Sequence, residues 1–213
     1  MTLDEFKNKI KKLSENNYED DKFTFYIEDY DLMTIDFTKL TISNGYIVEC
    51  NFIDMELNAV NFYDLKLCSN NFDKTFIYNC NFVKSDLDYN IYNNCIIENT
   101  KFTKVDFCET NFLDTKILNC IFNSIGLGEV RLLDCNIINT NFNNCVLEDI
   151  IFKNIKMENI NFIDSILENI DFRNIVLENV TFENCKFKEC IFREKQLEKL
   201  NLTVEQMKGI NLK

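Results

Sequence analysis

Every fifth residue from Leu32 to Leu212 is apolar, thirty-seven consecutive positions without an insertion or a slip in register. Hydrophobic residues make up 46% of the chain, so random placement would fill only about 17 of those positions. A period of five belongs to neither an α-helix nor a flat strand. It keeps one side chain facing inward only if the backbone turns a corner at each repeat, so short extended segments and tight turns must alternate and the chain must coil.

The other four positions follow the same logic. Two residues before each apolar centre stands a small or modest side chain, as at Cys50, Val60, Cys80, Ser85, Thr100, Thr110, Thr115, Cys120 and Cys145, which also faces inward. The residue just before the centre is often Asn or Asp (Asn51, Asn61, Asn71, Asn81, Asp86, Asn111, Asn141, Asp171), types that support bends through side-chain to backbone hydrogen bonds. The remaining two positions are mostly polar and face water.

Units such as Cys80-Asn81-Phe82-Val83-Lys84 and Thr110-Asn111-Phe112-Leu113-Asp114 resemble the pentapeptide-repeat proteins, densely from about residue 30 to 192. The resemblance implies an all-β fold, a right-handed parallel quadrilateral β-helix of about nine coils. Four repeats make one square coil, residues 20 apart stack, and residues 10 apart lie on opposite faces. Phe recurring every ten residues (Phe52 to Phe82, Phe102 to Phe122, Phe142 to Phe192) agrees with two opposite ring-bearing faces and two aliphatic ones.

A rod of stacked coils needs covers for its open ends. Thr2-x-x-Glu5 reads as a capping box, with Leu3, Phe6, Ile10 and Leu13 on one side of a helix and Lys7, Lys9, Lys11 and Lys12 around it. A polar connection at 15–22 and a lead-in strand with Phe23, Phe25 and Ile27 follow. At the far end an inward slot falls on Lys195, and Thr203-x-x-Gln206 reads as a second capping box. The expected organisation is a cap and lead-in at 1–27, a β-helix at 28–192 and a C-terminal helical cap at 193–213.

Composition narrows the chemistry. No stretch is long and apolar enough to cross a bilayer and no signal segment opens the chain, so a cytoplasmic protein is expected. Eight of ten cysteines occupy the inward slot and no two cysteines are 20 apart, which reads as reduced core thiols; Cys68 and Cys108 face outward and are expected to be the reactive ones. With no His and no CxxC, neither a metal nor any other cofactor is expected, and the commonest catalytic base is absent. Twenty-residue stacking places Glu148 beside Glu168 and Glu158 beside Glu178, carboxylate pairs of the kind glycan-processing β-helices use. With no long loops to build a cleft, a solvated acidic face is the simpler reading, and no enzymatic activity is expected.

Charge points to a protein partner. Residues 28–189 hold 26 acids and 13 bases, while the segment after Phe192 is net +2. Direct nucleic-acid binding is disfavoured. The leading expectation is a non-catalytic scaffold that binds another protein through an acidic rod surface. The resemblance implies an alternative, a DNA mimic protecting DNA gyrase or topoisomerase IV against quinolones or toxins. Against it stand a basic stripe of Lys153, Arg173 and Arg193 and the lack of the protruding loops that mark the quinolone-protecting group. Leu113 with Leu133, and Leu118 with Ile138, are expected to form an apolar patch at mid-rod, a partner or homodimer surface. The partner-binding candidates are thus Leu113, Leu118, Leu133, Ile138, Glu148, Glu158, Glu168 and Glu178.

Three local features complete the reading. Asn70, Asn90 and Thr110 share an inward column in which stacked amides are expected to bond one another. Tyr92 takes a centre slot, its hydroxyl expected to reach water or a turn. Gly126 and Gly128 mark either a turn with positive φ, the favoured reading, or a close approach. Bulky residues in the small slot from Ile150 to Val180 are expected to change the turn and widen the coil.

Overall fold

A computed structural model describes residues 2, 4–8 and 25–212 as a parallel β-solenoid of about nine turns. Neighbouring coils pair strictly at an offset of 20 residues, as in Phe112↔Leu132, Ile117↔Ile137, Phe122↔Phe142 and Leu127↔Leu147. These four pairs define four faces. The first carries Phe52, Phe72, Tyr92, Phe112 and Leu132; the second Leu57, Ile77, Ile97, Ile117 and Ile137; the third Phe62, Phe82, Phe102, Phe122 and Phe142; the fourth Leu67, Leu87, Phe107, Leu127 and Leu147. Most strands are three residues long, and only the middle one points into the core.

The first and third faces are zipped by rings. Along the third, Phe82, Phe102, Phe122, Phe142 and Phe162 stack at 4.8–5.0 Å with interplanar angles of 4–13°. This spacing follows from the hydrogen-bonded distance between strands, and it is also favourable for offset aromatic stacking.

Corners are made two residues after each centre. Thirty-one non-glycine residues there, from Asp29 to Glu189, have φ between 49° and 60°; Thr34 and Asn174 alone break the series. Nineteen of the thirty-one are Asn or Asp, the types that best tolerate the left-handed region. Bending therefore resides three residues later than the Asn/Asp position preceding the centre. That earlier position instead forms side-chain ladders, as in Asn81 Nδ2 to Asn61 Oδ1 at 2.8 Å. A second ladder climbs one corner, with Asn139, Asn159 and Asn179 each donating to the Asn twenty residues before at 3.1, 2.9 and 3.0 Å.

The inward small slot has a chemical reason. Its side chain donates to the carbonyl of the centre residue 23 positions earlier: Cys95 to Phe72 at 2.8 Å, Thr115 to Tyr92 at 2.6 Å, Cys80 to Leu57 at 3.2 Å, Ser165 to Phe142 at 3.2 Å. A Cys, Ser or Thr here fills the slot and satisfies that buried oxygen, which a Val or Ile at the same position does not. Asn70 and Asn90 obey the same rule, so the amides do not bond each other. Asn90 Oδ1 accepts from the Asn70 N–H at 2.7 Å, and its Nδ2 donates to Leu67 and Leu87 carbonyls at 2.8 Å.

Both capping boxes form. The Thr2 N–H donates to Glu5 at 2.7 Å while the Glu5 N–H returns to the Thr2 hydroxyl at 3.2 Å, and residues 4–8 are helical with Phe6 buried edge-on against Phe37. Leu3, Lys9, Ile10, Lys11, Lys12, Leu13, the connection at 15–22 and Phe23 lie outside the described residues. At the other end the coils give way to helices at Glu194–Leu197 and Val204–Met207, and a last strand, Ile210–Leu212, pairs with Cys190–Phe192. Lys195 is exposed, and Met207 and Leu212, the last hits of the five-residue period, are 37% and 53% exposed. Two glutamines take over instead. Gln196 Nε2 donates to the Phe172 and Ile175 carbonyls, and buried Gln206 donates to Phe182 at 2.8 Å, reproducing the missing inward donors.

A candidate acidic docking face

The fourth face gathers charge that the sequence spreads over eighty residues. From Asp86 to Glu168, its outward positions and the corner that follows carry Asp86, Asp88, Asp106, Glu109, Glu129, Glu148, Asp149 and Glu168, and no Lys or Arg. Salt bridges close the run at its ends, Lys66 to Asp86 at 2.6 Å and Lys188 to Glu168 at 2.7 Å. Lys84 and Lys104 border it at the preceding corner, where Lys84 turns away to the Tyr63 hydroxyl at 3.0 Å. The six acids between the end pairs make no salt bridge among the described residues.

Two carboxyls of the run, Asp88 and Asp86, are shifted in opposite directions. Burial pushes the Asp88 carboxyl up, and repulsion from Asp86 and Asp106 adds to this against a hydrogen bond from the Cys108 N–H. Burial also acts on Asp86, but hydrogen bonds from Lys66, Cys68 and the Asp88 N–H outweigh it and hold Asp86 below the usual carboxylate range. The expected reactivity of Cys68 and Cys108 is not supported. Desolvation and then neighbouring carboxylates raise both thiols, the Cys68 thiol also donating to the Asp86 carbonyl, so neither has thiolate character.

Gly126 and Gly128 sit in this run on the strand Gly126–Gly128, and neither has positive φ. The favoured turn reading is therefore wrong; at Gly126 there is a close approach, since a Cβ would stand 3.0 Å from the Asp106 carboxylate, whereas one on Gly128 would meet only the Cys108 sulfur at an ordinary 3.7 Å. The pair leaves a bare strip of backbone between acid-bearing coils.

The other candidates fall as follows. Glu148 pairs in register with Glu168, and Glu158 with Glu178. Lys156 lies between the latter two, 2.9 Å from Glu158 and 3.2 Å from Glu178, so that pair shares one cation and lies on the second face. Leu113 neighbours Leu133 and Leu118 neighbours Ile138, each half-buried. Lys116 and Asn136 stand between the two pairs along the coil. In the basic stripe, Arg173 is held by Asp171 at 2.6 Å and Arg193 donates to Asn174 at 2.8 Å. Tyr92 reaches neither water nor a turn: it is stacked between Phe72 and Phe112 at 4.8 and 4.9 Å, and its buried hydroxyl has no hydrogen-bond partner. Among the described residues no helix is long and apolar enough to cross a membrane, and no cluster of three acids or thiols is placed to hold a metal.

The sequence profile of the pentapeptide repeat region matches residues 127–202. The five-residue apolar register runs without a break on both sides of that matched region. No curated protein matches the sequence. Similar solved structures include a trypsin-treated form of QnrB1, a plasmid-mediated fluoroquinolone resistance protein: 17% identity, 75% of this chain and 89% of that one, TM-score 0.43. HetL, a pentapeptide repeat protein involved in heterocyst differentiation regulation from the cyanobacterium Nostoc, shows 9% identity over 90% of this chain and 97% of its own, TM-score 0.34. Rfr23 from the cyanobacterium Cyanothece shows 15% identity over 66% and 89%, TM-score 0.31.

Proposed function

We propose that this protein is a non-catalytic scaffold that binds a basic protein surface through its fourth face. The observation carrying this reading is the run of eight carboxylates from Asp86 to Glu168 without an intervening cation. Such a face is costly to keep, because its charges repel one another, and a cationic partner relieves that repulsion. Glu148 and Glu168 belong to the face; Glu158 and Glu178, bound to Lys156, do not contribute. The leucine and isoleucine pairs of the first and second faces are a secondary contact surface.

The test is affinity capture with the wild type and with Glu109→Gln/Glu129→Gln/Glu148→Gln, a variant that touches no core group. A basic protein retained by the first and released by the second supports the reading. Equal retention by both sinks it.

A second reading, duplex mimicry toward a type II topoisomerase such as DNA gyrase or topoisomerase IV, draws on one observation of the same face. Its eight carboxylates span about 19 Å, roughly one per 2.4 Å against about one per 1.7 Å along duplex DNA. Supercoiling by gyrase, with and without a quinolone, separates the readings: protection by the wild type that the triple variant loses supports mimicry, and no effect removes it.

A further inference from the structure

Between Glu56 and Phe192 the coil-to-coil hydrogen bonding is broken once, on the first face; nearer the start of the rod, the second face keeps only the corner bond from the Lys39 N–H to the Asn58 carbonyl at 3.0 Å. Ile151–Lys153 pair with Arg131–Leu133 on one side and Asp171 bridges to Ile191 on the other, but nothing bridges 151–153 to 171–173. The corner bond that Asp134 N–H makes to the Lys153 carbonyl at 2.9 Å has no counterpart between Asn154 and Arg173. The slots flanking this step are Ile150, Ile155, Ile170 and Ile175, which are bulky and carry no donor. Phe152 and Phe172 accordingly sit 5.9 Å apart at 43°, while on the opposite face Phe142, Phe162 and Phe182 stay stacked at 4.9 and 5.0 Å. The coils part on one side only.

A hollow of about 450 Å³ opens at this seam. Its floor is Ile150, Ile151 and Phe152, and its rim includes Asp149, Asp171 and Asn169. Ile151 is 49% exposed, and Phe152 is incompletely buried, unlike the stacked rings of the third face. Asp149 is also the corner residue that ends the acidic face, so the hollow continues that face around the edge of the rod.

We propose that this hollow anchors a lysine or arginine side chain of a basic partner segment lying along the fourth face; the inference rests on the docking reading above. An apolar floor under a carboxylate rim suits a side chain with an apolar stem and a cationic head. The Phe152 ring adds a cation–π contact. A purely aliphatic anchor would desolvate Asp149, which accepts from the Asn169 amide but has no cation on it among the described residues, without supplying one, which is unfavourable. The rim already receives a guanidinium from its own chain, since Arg173 lies on Asp171. Arg173 is thus an internal competitor for the incoming cation.

The experiment is a titration of the full chain, with Ile, Leu and Val methyls labelled for NMR, by acetylated hexalysine and hexaarginine amides at low salt. Shifts are expected at the Ile150 and Ile151 methyls. Asp149→Asn/Asp171→Asn weakens binding by about fivefold or more, the scale of partly exposed charge contacts. Asp114→Asn/Asp164→Asn, which changes net charge equally elsewhere, does not, and Arg173→Ala tightens binding. Should the first double variant unfold, Ile151→Lys, at a half-open position, gives the same loss. Peptide bound on the fourth face with Ile150 and Ile151 unmoved, or equal weakening by both double variants, overturns the anchor and leaves the docking reading standing. No binding of either peptide overturns both.

Discussion

At the residue scale the repeat is a set of five separate contracts between side chain and backbone. The corner needs a left-handed residue, which Asn and Asp supply most readily, yet Lys39, Tyr89 and Ala59 hold the same φ of 55–60° because the coils on either side impose it. Ala59 precedes the corner column of Asn79, Asn99, Asn119 and Asn139. Ala59→Asn is expected to raise stability by about 0.5–1 kcal/mol in urea unfolding; no gain would mean that the corner is not strained. Tyr92 is the reverse case, a buried hydroxyl without a partner inside a ring stack. Tyr92→Phe is expected to add about 1 kcal/mol, and a loss of stability would show that the hydroxyl is bonded.

At the scale of the element, each three-residue strand is too short to persist alone and is held by the coils above and below it. The terminal coil lacks one of those neighbours, which is why Gln196 and Gln206 matter. They reach back to carbonyls that in the body of the rod are met by Cys, Ser or Thr. Gln206→Leu keeps the bulk and removes the donor. It is expected to cost about 1–3 kcal/mol and to speed amide exchange in the last coil; unchanged exchange there would discount the cap. Neither glutamine was legible as an inward donor beforehand, because each lies one position out of the five-residue register.

For the whole molecule, stacking converts a mild excess of acids into a one-sided field, and pH dependence follows from its two kinds of carboxylate. Asp88, raised in the fold, binds protons more readily folded than unfolded, so stability rises as pH falls from neutral through its folded pKa toward 3.8. Asp86 and Asp171, lowered by Lys66 and Arg173 among others, contribute stability above 3.8 that is lost as pH drops below it. Thermal unfolding against pH is therefore expected to show a maximum in mild acid, and added salt at pH 7 to raise stability by screening the run. A monotonic fall of stability from pH 7 to 4 would contradict the raised Asp88 carboxyl, which burial and then its acidic neighbours produce.

Much of this was written in the chain itself. A period of five that never slips dictates inward and outward positions; the resemblance to four-repeat coils then implies the ring-bearing faces and the pairing of Glu148 with Glu168, and the Thr-x-x-Glu and Thr-x-x-Gln motifs mark both capping boxes. Other features depend on which groups meet across coils. The bond from the inward slot to a carbonyl 23 residues back, the missing partner of Tyr92, the bridging of Glu158 and Glu178 by Lys156, and the seam at Phe152 all depend on how neighbouring coils stack. Residue spacing fixes the columns of a solenoid; only the stacked coils decide which donors, charges and bulky side chains end up within bonding distance.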